Sequence, residues 1–445
     1  MVETKLFAHD QHQLELRLSF EIRPDRAAQD YQVDAWFFIP RTLGIDADNY
    51  GFADFDRDTG AFVRLTTPRV PLAELAQDSR YLDLSGPTEE ARVRRIKVLA
   101  CVMRGAIKRS ELPPEDFLPA LAAALERFRS AAPTKPNARE FSAWQAADEF
   151  VHLVAEEAST ARMPRPEAAT LAIACYRHRL DQGYTSFMRR GGENEELLRA
   201  RRLAKRAVSS VLWLEVSRKE SGALWRNVAG MVAAATAMAF AIGSTLYATA
   251  HYDMFSVAFV GIAVASYVVK DRIKDIGKAV LGRRLKATIA DHTVVVKDRE
   301  SGDRLGTVKE TFRVMAEAPD DIAALRLSAH ESALAADARP EVVLHWRKEV
   351  QLSSAKLAAH PLGSGGLTDL LRFNLQRLTT RMDGPYEDRS VVDPETLRLT
   401  TQRCADVHHV NVLLKLVSEQ DTRVERVRVV LDQRGIKRVE SLRPC

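Results

Sequence analysis

The sequence predicts an α+β membrane protein with four parts: a β-rich N-terminal unit, a helical bundle, a two-helix transmembrane hairpin, and a C-terminal α+β domain with antiparallel sheet. Three observations predict it. Residues 227–250 are 24 consecutive uncharged residues, and after His251-Tyr252-Asp253 another 16 follow before Lys270. Apolar residues alternate with period two near both ends of the chain, the mark of half-buried strands. Between them, from Pro87 to Ser221, the period is helical. The 445 residues suffice for two or three domains of roughly 100–200 residues each. With 46% hydrophobic and 28% charged residues, a disordered or fibrous chain is excluded. Cys101, Cys175, Cys404 and Cys445 are scattered without paired spacing, which argues against a disulfide scaffold or a thiolate zinc module. The first twenty residues have no basic stretch leading into an apolar one, so no secretory signal is expected.

In order along the chain, 12–22 places Leu14, Leu16, Leu18, Phe20 and Ile22 on one side of a strand, and 31–40 is a second, aromatic strand. An Asp-rich loop at 46–60 and a third strand at 61–65 complete a unit expected to span 1–85. Helices are expected at 88–109, 114–131, 138–160, 166–188 and 194–221, separated by Pro113-Pro114, Pro133 to Pro136, Pro164 to Pro166 and Gly191-Gly192. They make a bundle over 86–222, its fifth helix running close to, or straight into, the hairpin of 225–270. Residues 271–286 read as an amphipathic basic juxtamembrane helix. In 287–445, strands are expected at 292–297, 305–315, 342–350, 410–417, 424–431 and 436–442, with helices at 320–334 and 367–380.

As helices the two uncharged runs are about 36 Å and about 24 Å long, against a hydrocarbon core of about 30 Å. Tyr252, Tyr267 and Lys270 are placed to seat the shorter one by aromatic anchoring and snorkelling. Two other readings stand beside a spanning hairpin: a second helix that only re-enters, and a hairpin buried in a soluble core. Neither run carries the charged stripe of a surface helix. Small residues recur every fourth position at Ala233, Ala237 and Ala241, and at Gly261 and Ala265, a spacing that lets helices approach closely in lipid.

Charge sets the expected orientation. Residues 1–85 carry net −6, 86–226 net +7, 227–286 net +4 and 287–445 zero. The basic excess flanks the apolar runs, and the turn between them has no lysine or arginine. The positive-inside bias then puts both large portions in the cytoplasm. Arg226, Lys270, Arg272, Lys274, Lys278, Arg283 and Arg284 are the expected contacts to anionic lipid headgroups. Arginine outnumbers lysine 49 to 16, which suits a GC-rich bacterial genome and hence a cell inner membrane. With the basic residues so placed, and no nucleic-acid-binding motif, nucleic acid is not an expected partner.

Catalytic motifs are weak. Asp54, Asp56 and Asp58 alternate as in a calcium loop, but Gly60 falls one place late and Leu65 stands where a bidentate glutamate is needed. His408-His409 on a strand point to opposite faces; His409 shares a face with Asn411, without a third ligand. Ser353-x-x-Lys356 and the Gly363–Gly366 run lack the rest of their motifs. No catalytic residue, metal or cofactor is therefore expected. The leading expectation is a membrane-anchored scaffold, receptor or regulator that forms homo-oligomers and binds a cytoplasmic protein. The alternatives are a membrane-bound enzyme with a site built from scattered residues, around the aspartates or around His409 and Asn411, and an oligomeric channel or transporter.

Overall fold

The computed structural model describes residues 3–22, 28–75, 79–162, 166–220, 222–254, 256–288, 290–299, 301–327, 340–360, 362, 366–418 and 421–442. Fourteen strands are described: β1 (Glu3–Ala8), β2 (Gln13–Phe20), β3 (Ala28–Pro40), β4 (Thr59–Leu65), β5 (Glu215–Glu220), β6 (His292–Lys297), β7 (Arg304–Met315), β8 (Glu341–Ser353), β9 (Leu367–Asn374), β10 (Tyr386–Val392), β11 (Leu399–Ala405), β12 (His408–Ser418), β13 (Asp421–Asp432) and β14 (Gly435–Leu442). The helices that position the sites are α1 (Phe52–Asp58), α2 (Leu72–Leu75), α3 (Ser79–Leu82), α4 (Glu89–Arg109), α5 (Pro114–Ser130), α6 (Ala138–Arg162), α7 (Pro166–Asp181), α8 (Glu195–Ser209), α9 (Gly222–His251), α10 (Val257–Thr288) and α11 (Asp320–Leu327).

The strands form an eight-stranded antiparallel sheet, β14-β13-β12-β3-β8-β7-β6-β5, a four-stranded sheet, β1-β2-β9-β4, and the separate pair β10-β11. The two larger sheets face each other across one continuous core that extends into α4, α5 and α6. They are also joined at their edges. Leu214 N–H donates to Val63 O at 3.0 Å, carrying β4 on toward β5, and Ile436 N–H donates to Gln11 O at 2.6 Å. The second join needs Gly435, whose φ is +135° and where a Cβ would sit 2.1 Å from Gln11 O. On the outer face of the large sheet, α11 covers a smaller cluster of Trp36, Phe38, Val343 and Leu413.

The sequence leaves open whether the units 1–85 and 287–445 form one body, and the strand pairing answers it. β3 lies between β8 and β12, and β9 lies between β2 and β4, so the N- and C-terminal portions make one body. Local periodicity cannot show a partner 300 residues away. The helical block α4–α8 is an insertion between β4 and β5, and α9–α10 is an insertion between β5 and β6. Within the block, Thr88 caps α4 by accepting the Ala91 N–H, Glu89 and Glu90 open it, and Lys108 and Arg109 close it, in the sense the helix dipole favours. Helix α6 lies among α4, α7 and α8.

Three expectations are corrected. Residues 367–380, expected as a helix, form β9 and one short turn of helix, because a central strand covered on both faces shows no alternation. The fifth helix stops at Ser209, and Glu215–Glu220 becomes the edge strand β5, so the bundle does not run into the hairpin as a continuous helix. Within the Asp-rich loop of 46–60, Phe52–Asp58 is helical and buries Phe55. Helix 320–334 is described only to Leu327.

Candidate functional site: an apolar helical hairpin

Helices α9 and α10 leave the sheet at its edge, where Glu220 on β5 is paired with His292 on β6. They run antiparallel and pack on each other. A Cβ on Gly277 would lie 3.0 Å from the Ala233 Cβ, and the hydroxyls of Ser244 and Ser266 are hydrogen-bonded. Ala229, Ala233, Ala237 and Ala248 are buried in this contact and Ala241 partly so. On α10 the facing row is Phe259, Ile262, Ser266, Lys270, Ile273 and Gly277, in steps of three and four. Gly261 and Ala265, expected in the contact, are exposed, and nothing lies within 4 Å of a Cβ at Gly261. Their four-residue spacing is real, but each sits one residue, about 100° of helix, away from Ile262 and Ser266.

Outside that seam the hairpin is uncovered. Among the described residues one helical segment, Asn227–His251, is long and apolar enough to cross a membrane, and only 17% of its most apolar window is buried. Met231, Met238, Ile242 and Leu246 on α9, and Val257, Val264 and Val268 on α10, are exposed, Val257 at 91%. A helix from the core of a soluble domain would be mostly covered. The hydroxyls on the exposed surface are bonded within the helix. Thr236 donates to Val232 O at 2.9 Å, Thr245 to Ala241 O at 2.9 Å and Thr249 to Thr245 O at 3.1 Å. Such self-bonding removes the cost of placing a hydroxyl in an apolar surrounding.

α10 does not meet the same criterion as a whole, because it runs as one helix from Val257 through the basic segment to Thr288. The expected juxtamembrane helix is thus the continuation of α10. With Ala233 opposite Gly277, the charged residues Arg272, Lys274 and Lys278 stand beside the first half of α9. Both helices are uncharged only from the level of Lys270 to the tip, about 20 Å. Lys270 Nζ lies 4.0 Å from the centre of the Tyr267 ring. The side chains of Arg226, Arg283 and Arg284 lie outside the described residues.

A second cluster lies in the helical block, and sequence reading did not find it. Asp148 and His152 stand one turn apart on α6, and His178 comes from α7; their ligand-type atoms lie within 4.8 Å of one another. His178 Nε2 and the Tyr184 hydroxyl each approach Asp148 Oδ2 at 2.8 Å, and the two imidazoles stack at 4.1 Å. The donor set suits a zinc-type ion, but the bonding does not. Arg129 Nε–H donates to His152 Nε2 at 3.0 Å, which leaves the proton on Nδ1 to bond the Asp148 main-chain oxygen at 2.8 Å. With its lone pair taken by a guanidinium, His152 is a poor ligand, and the cluster is a hydrogen-bonded network joining α6, α7 and the loop after α7. The sequence signal was the i,i+4 pair Asp148 and His152; His178 required the tertiary fold.

The network has a pH consequence. Burial holds His178 below its ordinary 6.5. The unfolded chain therefore takes up a proton near pH 6.5 that the folded chain refuses until lower pH, and stability falls as pH drops through that window. Asp148 is held below 3.8: burial would raise it, but its interactions with the His152 and His178 imidazoles and the Tyr184 hydroxyl outweigh burial. Its contribution is complete above 3.8 and is lost as pH falls through the folded value. Thermal melts at pH 7.5 and 5.5 are expected to show a smaller pH-dependent fall in His178→Gln than in the parent. An equal fall in both would contradict this assignment.

The remaining candidates are occupied in holding the fold. Asp54 accepts the Gly51 N–H at the start of α1 and pairs with Arg57 and Arg377, and Asp58 accepts the Tyr50 hydroxyl and pairs with Arg377. Asp56, on α1 between them, also has a bonding partner. His409 and Asn411 lie on β12, where Asn411 is paired with Phe38 and Arg428 in the sheet. Burial pushes the Cys101 thiol up to about 12 and the Cys175 thiol up to about 11, so neither is a poised nucleophile. Gly363–Gly365 and Cys445 lie outside the described residues. No protein-family model matches the chain, and no curated protein or solved structure is similar enough to count as a match.

Proposed function

We propose that the chain is a membrane-anchored binding protein of a bacterial inner membrane, with α9–α10 crossing the bilayer as a hairpin and the sheets and helical block on the cytoplasmic face. The supporting observation is the uncovered apolar surface of two helices whose main packing, among the described residues, is on each other. A soluble protein rarely leaves an apolar patch beyond about 300–600 Å² without a use for it. The basic residues flanking the hairpin's base and their absence from its tip support the orientation. The polar tip favours crossing over dipping, since Asp253 at the bilayer centre would cost about 2.5–3.5 kcal/mol. A leaflet-deep hairpin is the second reading, favoured by the level of Arg272 and Lys274; crossing meets that level by snorkelling and local thinning, at fractions of a kcal/mol per Å.

Scaffolding and self-assembly belong to the same proposal, although Ala233 and Ala237, which suggested assembly, are used within the hairpin. The test is thiol labelling of Met254→Cys in a background without other cysteines. A membrane-impermeant maleimide applied from outside is expected to label a crossing tip in intact spheroplasts. Failure to label both in intact spheroplasts and after the cells are opened would favour the dipping hairpin, and labelling only after opening would put the tip in the cytoplasm and contradict both.

A further inference from the structure

Around β4 the fold assembles basic residues from four distant segments. Glu15 on β2 is buried and is gripped by Arg17 at 2.7 Å and Arg372 at 2.8 Å, with His9 at 3.3 Å, so this carboxylate is fully engaged. Beside it on the same outer face stands Arg64 of β4, half-buried, its guanidinium 5.9 Å from the Trp213 ring. The Arg64 Nε is buried without a hydrogen-bond partner. Arg104 of α4, also half-buried, and Lys205 of α8 complete the group: Cys101, three residues before Arg104, donates its thiol to the Val208 carbonyl, three residues after Lys205, at 3.6 Å, and a Cβ on Gly105 would lie 2.7 Å from the Thr67 hydroxyl just past β4. Among the described residues, neither Arg64 nor Arg104 has a carboxylate partner. The nearby acid Glu157 lies 4.0 Å from Lys108, in an exposed pair.

These cations act on one another. Burial, followed by the charges of Arg17 and Arg104, lowers Arg64 against a smaller opposing pull from Glu15; burial, followed by Arg104, Lys108 and Arg64, lowers Lys205 against a smaller one from Glu157. Mutual repulsion in a partly desolvated place is unfavourable unless an anion relieves it. The arginine fork suits the geometry of phosphate oxygens, and a lysine adds a mobile point charge. Aromatic stacking of Arg64 on Trp213 and of Arg372 on Phe62 offsets desolvation but brings no counter-charge.

We propose that Arg64, Arg104 and Lys205 form a binding site for a phosphate group, set between the outer face of β4, the C-terminal half of α4, and α8. The site is independent of the hairpin. Trp213 is seven residues before Glu220, about 23 Å along an extended strand from the hairpin's base. The phosphate is carried either by a soluble ligand or by a lipid headgroup reaching the body of the protein.

The test is thermal unfolding of the full chain in detergent. It is titrated with inorganic phosphate against chloride at equal ionic strength, and with dihexanoyl phosphatidylglycerol against dihexanoyl phosphatidylcholine. Saturable stabilisation by phosphate, with apparent affinity at least tenfold weaker in Arg104→Gln, is the expected result and identifies a soluble ligand. The same pattern with phosphatidylglycerol alone keeps the site and identifies a headgroup. Without ligand, Arg104→Gln is expected to be at least as stable as the parent, because repulsion is relieved; Lys205→Gln, at an exposed position, provides the same comparison should Arg104→Gln fold poorly. The proposal is overturned if neither anion exceeds its control, or if the variants respond as the parent does.

Discussion

Lys348→Ala is expected to cost about 3–5 kcal/mol of stability, the loss seen when one partner of a buried ion pair is removed. Lys348 on β8 and Asp369 on β9 belong to the two facing sheets and are 2% exposed each. The ammonium lies 2.6 Å from one carboxylate oxygen and 2.7 Å from the other, and the Tyr31 hydroxyl donates to the same carboxylate at 3.2 Å. Burial, then the Asp369 charge, drives the Tyr31 hydroxyl well above 10, so Tyr31 stays a donor at every accessible pH. Removing the ammonium leaves a carboxylate in the core with one neutral donor. The double variant Lys348→Met, Asp369→Leu is expected to recover much of the loss, since apolar side chains of similar volume replace the pair without an orphaned charge. Urea unfolding of the parent, both single variants and the double variant measures this directly. A Lys348→Ala midpoint within error of the parent would show that the pair does not join the sheets.

The second large effect concerns the hairpin. Because Glu220 and His292 are already paired across β5 and β6, replacing 221–291 by Asn-Gly leaves two strands that a two-residue turn can connect. The expected product is a folded protein soluble without detergent, with the circular dichroism of the sheets retained and helical signal lost in proportion to α9 and α10. If instead the truncated chain aggregates or unfolds, the hairpin is part of the folding core. Its exposed surface would then need another account.

The strands that alternate were legible in the sequence. β2, β6, β7 and β8 bury mainly alternate residues, so period two betrays them, whereas β3 and β12, buried on both faces, show instead as aromatic and β-branched runs. β9 was not legible because it is covered on both faces, and β5 because six residues at a sheet edge follow a helix with hardly a break. The union of the N- and C-terminal portions rests on Tyr31 meeting Val350 and Trp36 meeting Leu413, pairings that no local pattern carries. Of the hairpin, length and apolarity were plain, since an uncharged run needs no partner to be seen. Ala233 and Ala237 lie in the contact between α9 and α10 and Gly261 and Ala265 lie outside it, because small-residue spacing gives a period and not a phase. The Asp148 network and the basic group around Arg64 were hidden for a simpler reason: their members come from separate elements, and each residue alone is an ordinary surface or helix residue.

Membrane fractionation followed by an alkaline carbonate wash tests most directly whether α9–α10 lies in a bilayer. The full chain is expected to stay in the washed pellet, and the chain with 221–291 replaced by Asn-Gly to appear in the supernatant. Release of the full chain by the wash would contradict insertion and make the hairpin's exposed face a protein-binding surface.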